Sequence, residues 1–406
     1  MRKLTIVFIL LLTSFIQAQE FTIPSGPKPY YDIIEWKGMG GILMSKDPSG
    51  NTKQINLTLI GDQQTSIWDQ KFNPKGEEFY YLASENARYV YFLDNLELNN
   101  GKVYFSQLNS AGNVKTTSVA LGSTVKPLGV TDYNDLELVN VVVTDKALIH
   151  HFRYVDKKAK AIKEIATFIT HHNFRPYAVE LGSVKNADLK NDDIGQWYYI
   201  GFTGDQIYFA ARDLQSKKKG WSVKEFTSKA KLTIGTFMEA PDNLIPIEDI
   251  GFGTTGKYYL EGKSNMEAGL LTQINSKFYM MGAQSRNGGA DVILYELSEG
   301  EWKELNSLNL NYFIENKTLK LGIYALNEGI GYHLNHNGYD KVSIIKNDGE
   351  TTAHNDFTDR TIFNPSSVLH KKEQNEFVVD LPNKVLYFDT KQLDSGGDVT
   401  FELKAK

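Results

Sequence analysis

The sequence predicts an all-β protein assembled from repeated hairpins, on three observations. First, a strand–turn–strand phrase recurs. It runs from Gly101 to Leu108, through a polar turn at 109–113, into Val114–Leu121. It returns from Gly204 to Leu214 before Trp221–Phe226, and from Asn383 to Leu393 before Val399–Leu403. Apolar runs joined by Gly/Asn/Asp/Ser turns are hairpin signals. Second, Tyr and Phe contribute 22 residues each and sit among short β-type runs, aromatic as in Arg88–Leu93 or β-branched as in Leu138–Val143, and such residues suit a pleated, half-buried surface. Third, sustained helical periodicity is scarce. Its best instance, Lys157–Phe168 with Ala159, Ile162, Ile165 and Ala166 near 3.6 spacing, reads equally well as a turn followed by a strand over 162–169.

The amino terminus sets the compartment. Arg2 and Lys3 precede the apolar run Leu4–Leu12, and Ala18 closes the segment. A positive start, a short apolar stretch and a small residue at the end form a secretory signal peptide, 1–18, with cleavage after Ala18 or Gln19. The run is shorter than the roughly 20 residues that span a bilayer, and no later segment is apolar enough to do so. With no cysteine in the chain, lipoprotein anchoring is excluded. The expected location is the periplasm, or the cell surface after secretion, of a bacterium. An exported chain without disulfides is held by its core alone, for which this length suffices.

Weaker hairpin copies fall at 42–59, 148–169, 292–308 and 342–357. A second phrase strengthens the repeat. Glu78–Leu82, Gln196–Ile200, Gly256–Leu260 and Ser276–Met280 each place paired aromatics before an aliphatic residue. Successive side chains of a strand point to opposite faces, so such pairs suit strands packed on both sides. The hairpins begin near 42, 103, 148, 207, 292, 342 and 385, about 57 residues apart on average, against the 40–50 of four-stranded propeller blades. In architecture the chain resembles β-propeller repeat proteins, although it carries neither a Gly-His…Trp-Asp signature nor a regular double glycine. That resemblance implies one domain over 19–406 with seven blades, six or eight being the alternatives, and with an insertion or degenerate blade around 230–275, where the interval is longest. Two β-sandwich domains meeting near 230–250 are the other arrangement.

Charge and motifs exclude more chemistry than they suggest. A net charge of −5, with Lys217–Lys219 as the longest basic run, does not make the clustered basic face of a nucleic-acid binder. Ser45–Thr52 resembles the Asp-box turn of sialidase-like propellers but has one residue too many and no tryptophan. No arginine triad accompanies it. Gly251–Gly256 matches Gly-x-Gly-x-x-Gly but leads into a strand phrase where a dinucleotide site needs a helix. The histidine pairs His150-His151 and His171-His172, and His333 with His336, cannot converge on one metal from an extended strand. No cofactor or metal is expected.

Two candidate sets remain. Glu239, Asp242, Glu248 and Asp249 lie in a Pro-containing segment and are the first suspects for a carboxylate pair of the glycosidase type. Among the five tryptophans, Trp68 and Trp221 are the expected exposed ones, suited to stacking on a sugar or anchoring a partner. The expected function is a non-enzymatic binding or scaffold module for an envelope protein or glycan. A carbohydrate-active enzyme on a propeller scaffold is the alternative.

Overall fold

The structure is a computed structural model that describes residues 19–25, 30–36, 38–46, 54–63, 66–73, 79–83, 88–94, 101–185, 197–213, 220–241, 250–254, 270–274, 276–286, 289–310, 319–326, 329–336, 339–346, 351–354 and 376–405. Strand β1 is Gln19–Ile23. Four strands follow as one antiparallel sheet: β2 (Tyr30–Trp36), β3 (Gly40–Lys46), β4 (Ile55–Ile60) and β5 (Ser66–Phe72). The next sheet contains β6 (Phe79–Ala83), β7 (Tyr89–Asp94), β8 (Lys102–Asn109) and β9 (Val114–Ala120). The third holds β10 (Leu136–Val143), β11 (Ala147–Asp156), β12 (Ala161–Thr170) and β13 (Pro176–Lys185). The fourth holds β14 (Trp197–Thr203), β15 (Gln206–Asp213), β16 (Gly220–Thr227) and β17 (Leu232–Glu239).

After β18 (Ile250–Thr254) comes a fifth sheet of β19 (Leu270–Ile274), β20 (Lys277–Arg286), β21 (Gly289–Ser298) and β22 (Glu301–Leu310). A sixth contains β23 (Leu319–Leu326), β24 (Gly329–His336), β25 (Tyr339–Lys346) and β26 (Thr351–His354), and β18 joins it in parallel alongside β23. The last sheet is made from both ends of the chain. Its strands β27 (Glu376–Asp380), β28 (Lys384–Asp389) and β29 (Val399–Ala405) accept β1 against β29, pairing Gln19 with Leu403 through Ile23 with Val399.

The hairpin phrase and the sheets coincide. Its seven copies are the pairs β3–β4, β8–β9, β11–β12, β15–β16, β21–β22, β25–β26 and β28–β29, one in each sheet. The uneven spacing has a simple cause: in some sheets the copy forms the second and third strands, in others the third and fourth. In the long interval after 207, β17 completes one sheet, β18 leaves to pair with β23, and the Ser276–Met280 phrase opens β20 rather than a separate unit. Of the other aromatic phrases, residues 79–82 fall on β6 and 197–200 on β14, while 256–260 lies outside the described residues. Lys157–Phe168 resolves as a turn and β12, since every residue from Ala161 to Thr170 pairs with β11 in unbroken register.

Two compact units divide the chain, one comprising Met1–Leu96, Tyr104–Ser118 and Phe363–Lys406, the other Glu97–Val103 and Val119–Ile362. In the first, alternation along the strands feeds two separate cores. Ile33 of β2, Leu43 of β3 and Ile60 of β4 face Leu386, Phe388 and Phe401 of the terminal sheet. Their neighbours Ile34, Ile42 and Leu59 face Val90, Phe92 and Leu108 of the following sheet. In the second unit, Ile149 and Phe168 pack with Tyr199, Phe209 and Phe226. Ile200, Ala210 and Trp221 turn the other way, onto Leu271, Met280 and Ile293. The paired aromatics of β14 follow the same rule: Tyr199 lies in one core while Tyr198 packs against the other.

Candidate functional site

The second unit contains an unusual set of buried polar groups, most of them on β11 and β12. His151 is 2% exposed and bonds the carboxylate of Glu164, itself 3% exposed. The ring of His151 also meets Phe209 edge-on at 6.3 Å. His171 is buried, and its Nε2 donates to the Thr144 carbonyl at 2.7 Å. Burial lowers its pKa to about 4, against the opposing pull of the Thr144 bond. His150 is wholly buried, stacks parallel to Phe152 at 5.9 Å, and is pushed by burial down to about 3. Neither of its ring nitrogens has a hydrogen-bond partner among the described residues, and nor does the hydroxyl of Thr167, the residue directly opposite it on β12. Adjacent histidines thus enter different surroundings, as the alternation of a strand requires. Among the described residues, no three or more acidic or histidine side chains come close enough to hold a metal. These contacts join β11 to β12, to β15 of the next sheet and to the residues on either side of the β11–β12 hairpin.

Lys224 of β16 is placed similarly. Its ammonium lies 4.7 Å from the ring centre of Trp197 and donates to the Leu181 carbonyl at 2.5 Å. Burial lowers its pKa, although nearby Glu180 favours the charged form.

The residues singled out in the sequence fare differently. Trp221 is not exposed: it is 1% accessible, because β16 lies inside its sheet and packs on the next one. It meets Trp302 edge-on at 6.4 Å, and the Trp302 indole donates to the backbone carbonyl of Glu239 at 2.7 Å. Trp221, Trp302 and the end of β17 are therefore brought together as a packing lock, with the Glu239 side chain on the exposed side. Asp242, Glu248 and Asp249 lie outside the described residues, and so do the side chains of His333 and His336. Trp68 is half-buried rather than open. Its ring stands 6.2 Å from Trp36, and Gly112 of the β8–β9 turn covers it so closely that a Cβ there would lie 3.1 Å from the indole.

The surface feature missed in the sequence is β17. It is the last strand of its sheet among the described residues, and six of its eight residues in a row, Leu232 to Phe237, are exposed. Leu232, Ile234 and Phe237 are 49%, 52% and 37% accessible. Thr233 anchors the strand by donating to the Glu225 carboxylate at 2.5 Å. The signal was legible, since apolar residues at 232, 234 and 237 follow a hairpin with no charge until Glu239. Such a strand presents apolar side chains to solvent on the described surface.

The chain matches no protein-family model and no curated protein. Among solved structures it is similar to the β-propeller domain of the Trilobed protease from Pyrococcus furiosus, described as having an open velcro topology, with 8% identity, TM-score 0.41 and 89% of each chain covered. A Pyrococcus horikoshii acylaminoacyl peptidase is similar at 9% identity and TM-score 0.41, and this chain spans about half of it (49%). An uncharacterized protein from Listeria monocytogenes EGD-e is similar over 93% of this chain and 96% of its own, at 8% identity and TM-score 0.39. At the level of architecture, with no specific family, the chain resembles β-propeller domains.

Proposed function

We propose that the chain is an exported, non-catalytic binding or scaffold module of the bacterial periplasm or cell surface. Its frame would be a seven-bladed propeller and its partner an envelope protein or glycan. The observation that carries this reading is the sheet formed from both ends of the chain. β1 (Gln19–Ile23) pairs along β29 through five residues. Joining the termini in one sheet protects edges that would otherwise seed aggregation. The seven sheets, each with one hairpin copy, support seven blades, the last completed by β1. In the second unit, β19 lies beside β14 and also beside β23, so first strands adjoin as they do around a propeller axis. A non-catalytic role is supported by the use of His151, Glu164, His171 and Glu225 as buried contacts.

The test is fractionation of cells expressing the full chain, with intact-mass analysis of the exported form, then capture of partners from envelope fractions and turnover assays on a glycan panel. A mature start at Gln19 or Glu20 and a reproducible partner are expected. Retention in the cytoplasm with the leader intact overturns export. Turnover on the panel without a partner overturns the binding role in favour of a carbohydrate-active enzyme.

A further inference from the structure

The strand that completes the terminal sheet is lightly held. β1 stands at the end of the order β1-β29-β28-β27, so β29 is its only strand partner among the described residues. Along it Gln19, Glu20 and Thr22 are exposed and Phe21 is half-buried, which leaves Ile23 alone inside. The contacts of the seam include the Phe21–Phe401 stack at 5.4 Å, the Thr22–Thr400 hydroxyl pair at 3.1 Å and the packing of Ile23 in the core with Val399, Phe401 and Leu403. Just beyond the strand, the Ser25 backbone N–H donates to the Asp398 carboxylate at 3.1 Å. Between Ile23 and Tyr30 the sequence reads Pro-Ser-Gly-Pro-Lys-Pro. Proline fixes φ, and Pro-rich connections favour extended, semi-rigid chain.

We propose that β1 is an exchangeable strand: the β29 edge of a second copy of this chain accepts it in place of that copy's own β1, and the two copies do so reciprocally. Every contact of the seam is then kept, because donor and acceptor are the same residues in the same register, Gln19 with Leu403 through Ile23 with Val399. A reciprocal exchange closes after two copies and generates no filament. Opening removes one edge strand and leaves β27, β28 and β29 paired as before. With the seam alike in both forms, the tether decides between them. A flexible linker of this length holds β1 near its own sheet at an effective concentration on the order of millimolar, and a stiffer one holds it there at less. The monomer therefore prevails in dilute solution, and the exchanged dimer grows as the protein approaches that concentration.

The test uses the purified chain and is independent of export and of any envelope partner. The chain has no cysteine, so introduced ones report without background. Thr22 and Thr400 are direct cross-strand partners on the exposed side of the seam. A chain with Thr22→Cys is mixed with one carrying Thr400→Cys, at about millimolar protein, in a glutathione redox buffer. The expected product is a covalent heterodimer joined through positions 22 and 400, identified by peptide mass mapping. It should form at least about tenfold faster than the product of Glu20→Cys with Thr400→Cys, because diagonal neighbours about 7–8 Å apart exceed the span of a disulfide. The single chain carrying both Thr22→Cys and Thr400→Cys, oxidised when dilute, should close within itself and stay a monomer on concentration. Internal closure of that double variant with no heterodimer in the mixture overturns the exchange and leaves the sheet drawn from both ends standing. A double variant that does not close internally overturns both. A heterodimer forming no faster than the out-of-register pair also overturns the exchange, since contact is then unspecific. Circular dichroism matching the unaltered chain confirms that each variant is folded.

Discussion

Acidification should destabilise the protein through His150 and His171. Both are held neutral by burial, at about 3 and about 4, against about 6.5 for an exposed histidine. The sign follows from proton uptake. Between the folded and unfolded values the unfolded chain binds one more proton at each site, so stability is full above about 6.5 and is lost as pH falls below it. Each site contributes a slope of about 1.4 kcal/mol per pH unit. At pH 5.0 the loss is about 2 kcal/mol per histidine, or about 4 kcal/mol for the two, a large share of the 5–15 kcal/mol typical of a folded domain. Urea unfolding at pH 7.5 and 5.0 measures it through the shift in midpoint. His150→Leu should reduce the pH slope by about half. It should cost little at pH 7.5, since it removes two nitrogens without partners among the described residues and keeps the site apolar. An unchanged midpoint at pH 5.0, or a His150→Leu variant retaining the full slope, would refute the reasoning.

Three further outcomes are expected. Glu164→Ala should lower stability by about 3–5 kcal/mol, because it leaves the buried His151 without its partner; chemical denaturation reads the loss. Gly40→Ala should be strongly destabilising, by about 3 kcal/mol or more, since its φ is +147° and a Cβ would run into the Ile60 carbonyl; a drop in melting temperature of several degrees checks it. Starting the mature chain at residue 24 should strip β29 of β1, including the Phe21–Phe401 stack at 5.4 Å and the burial of Ile23. Thermal unfolding should then begin earlier and light scattering should rise, as an unpaired edge allows.

The architecture was legible because strands announce themselves locally. Each hairpin copy carries its own turn, and Tyr198-Tyr199 announced a sheet packed on both faces before any neighbour was known. The pairing of β1 with β29 was inferable from the positions of the first and last copies, but β18 with β23 was not. A parallel partner far along the chain leaves no turn between the two strands. Lys157–Phe168 was ambiguous because its apolar spacing fits both periods, and pairing with β11 decides it. The candidate sites were less legible. Trp221 looked exposed beside a lysine-rich turn, yet the residues it packs with, Leu271, Met280 and Trp302 among them, are remote in sequence. The role of His151 depended on Glu164 lying diagonally across β11 and β12, a relation set by register rather than by proximity. On β17, Leu232 and Ile234 read as one apolar face, but a bulge at Thr233 sets them on opposite faces, and only the pairing with β16 shows it.

The sheet drawn from both termini also bears on when the chain can fold. One compact unit contains the first residues and the last, with most of the other unit lying between them in sequence. β1 has no partner until 399–405 have been made and delivered, so the closing step has the longest loop the chain allows. Contacts this distant are formed slowly, at an entropic cost that local hairpins do not meet. Sheets of consecutive strands can form one after another as the chain is made, whereas the seventh waits for the end. Until then β1 lacks its only strand partner among the described residues, and a holdase chaperone would find its substrate there.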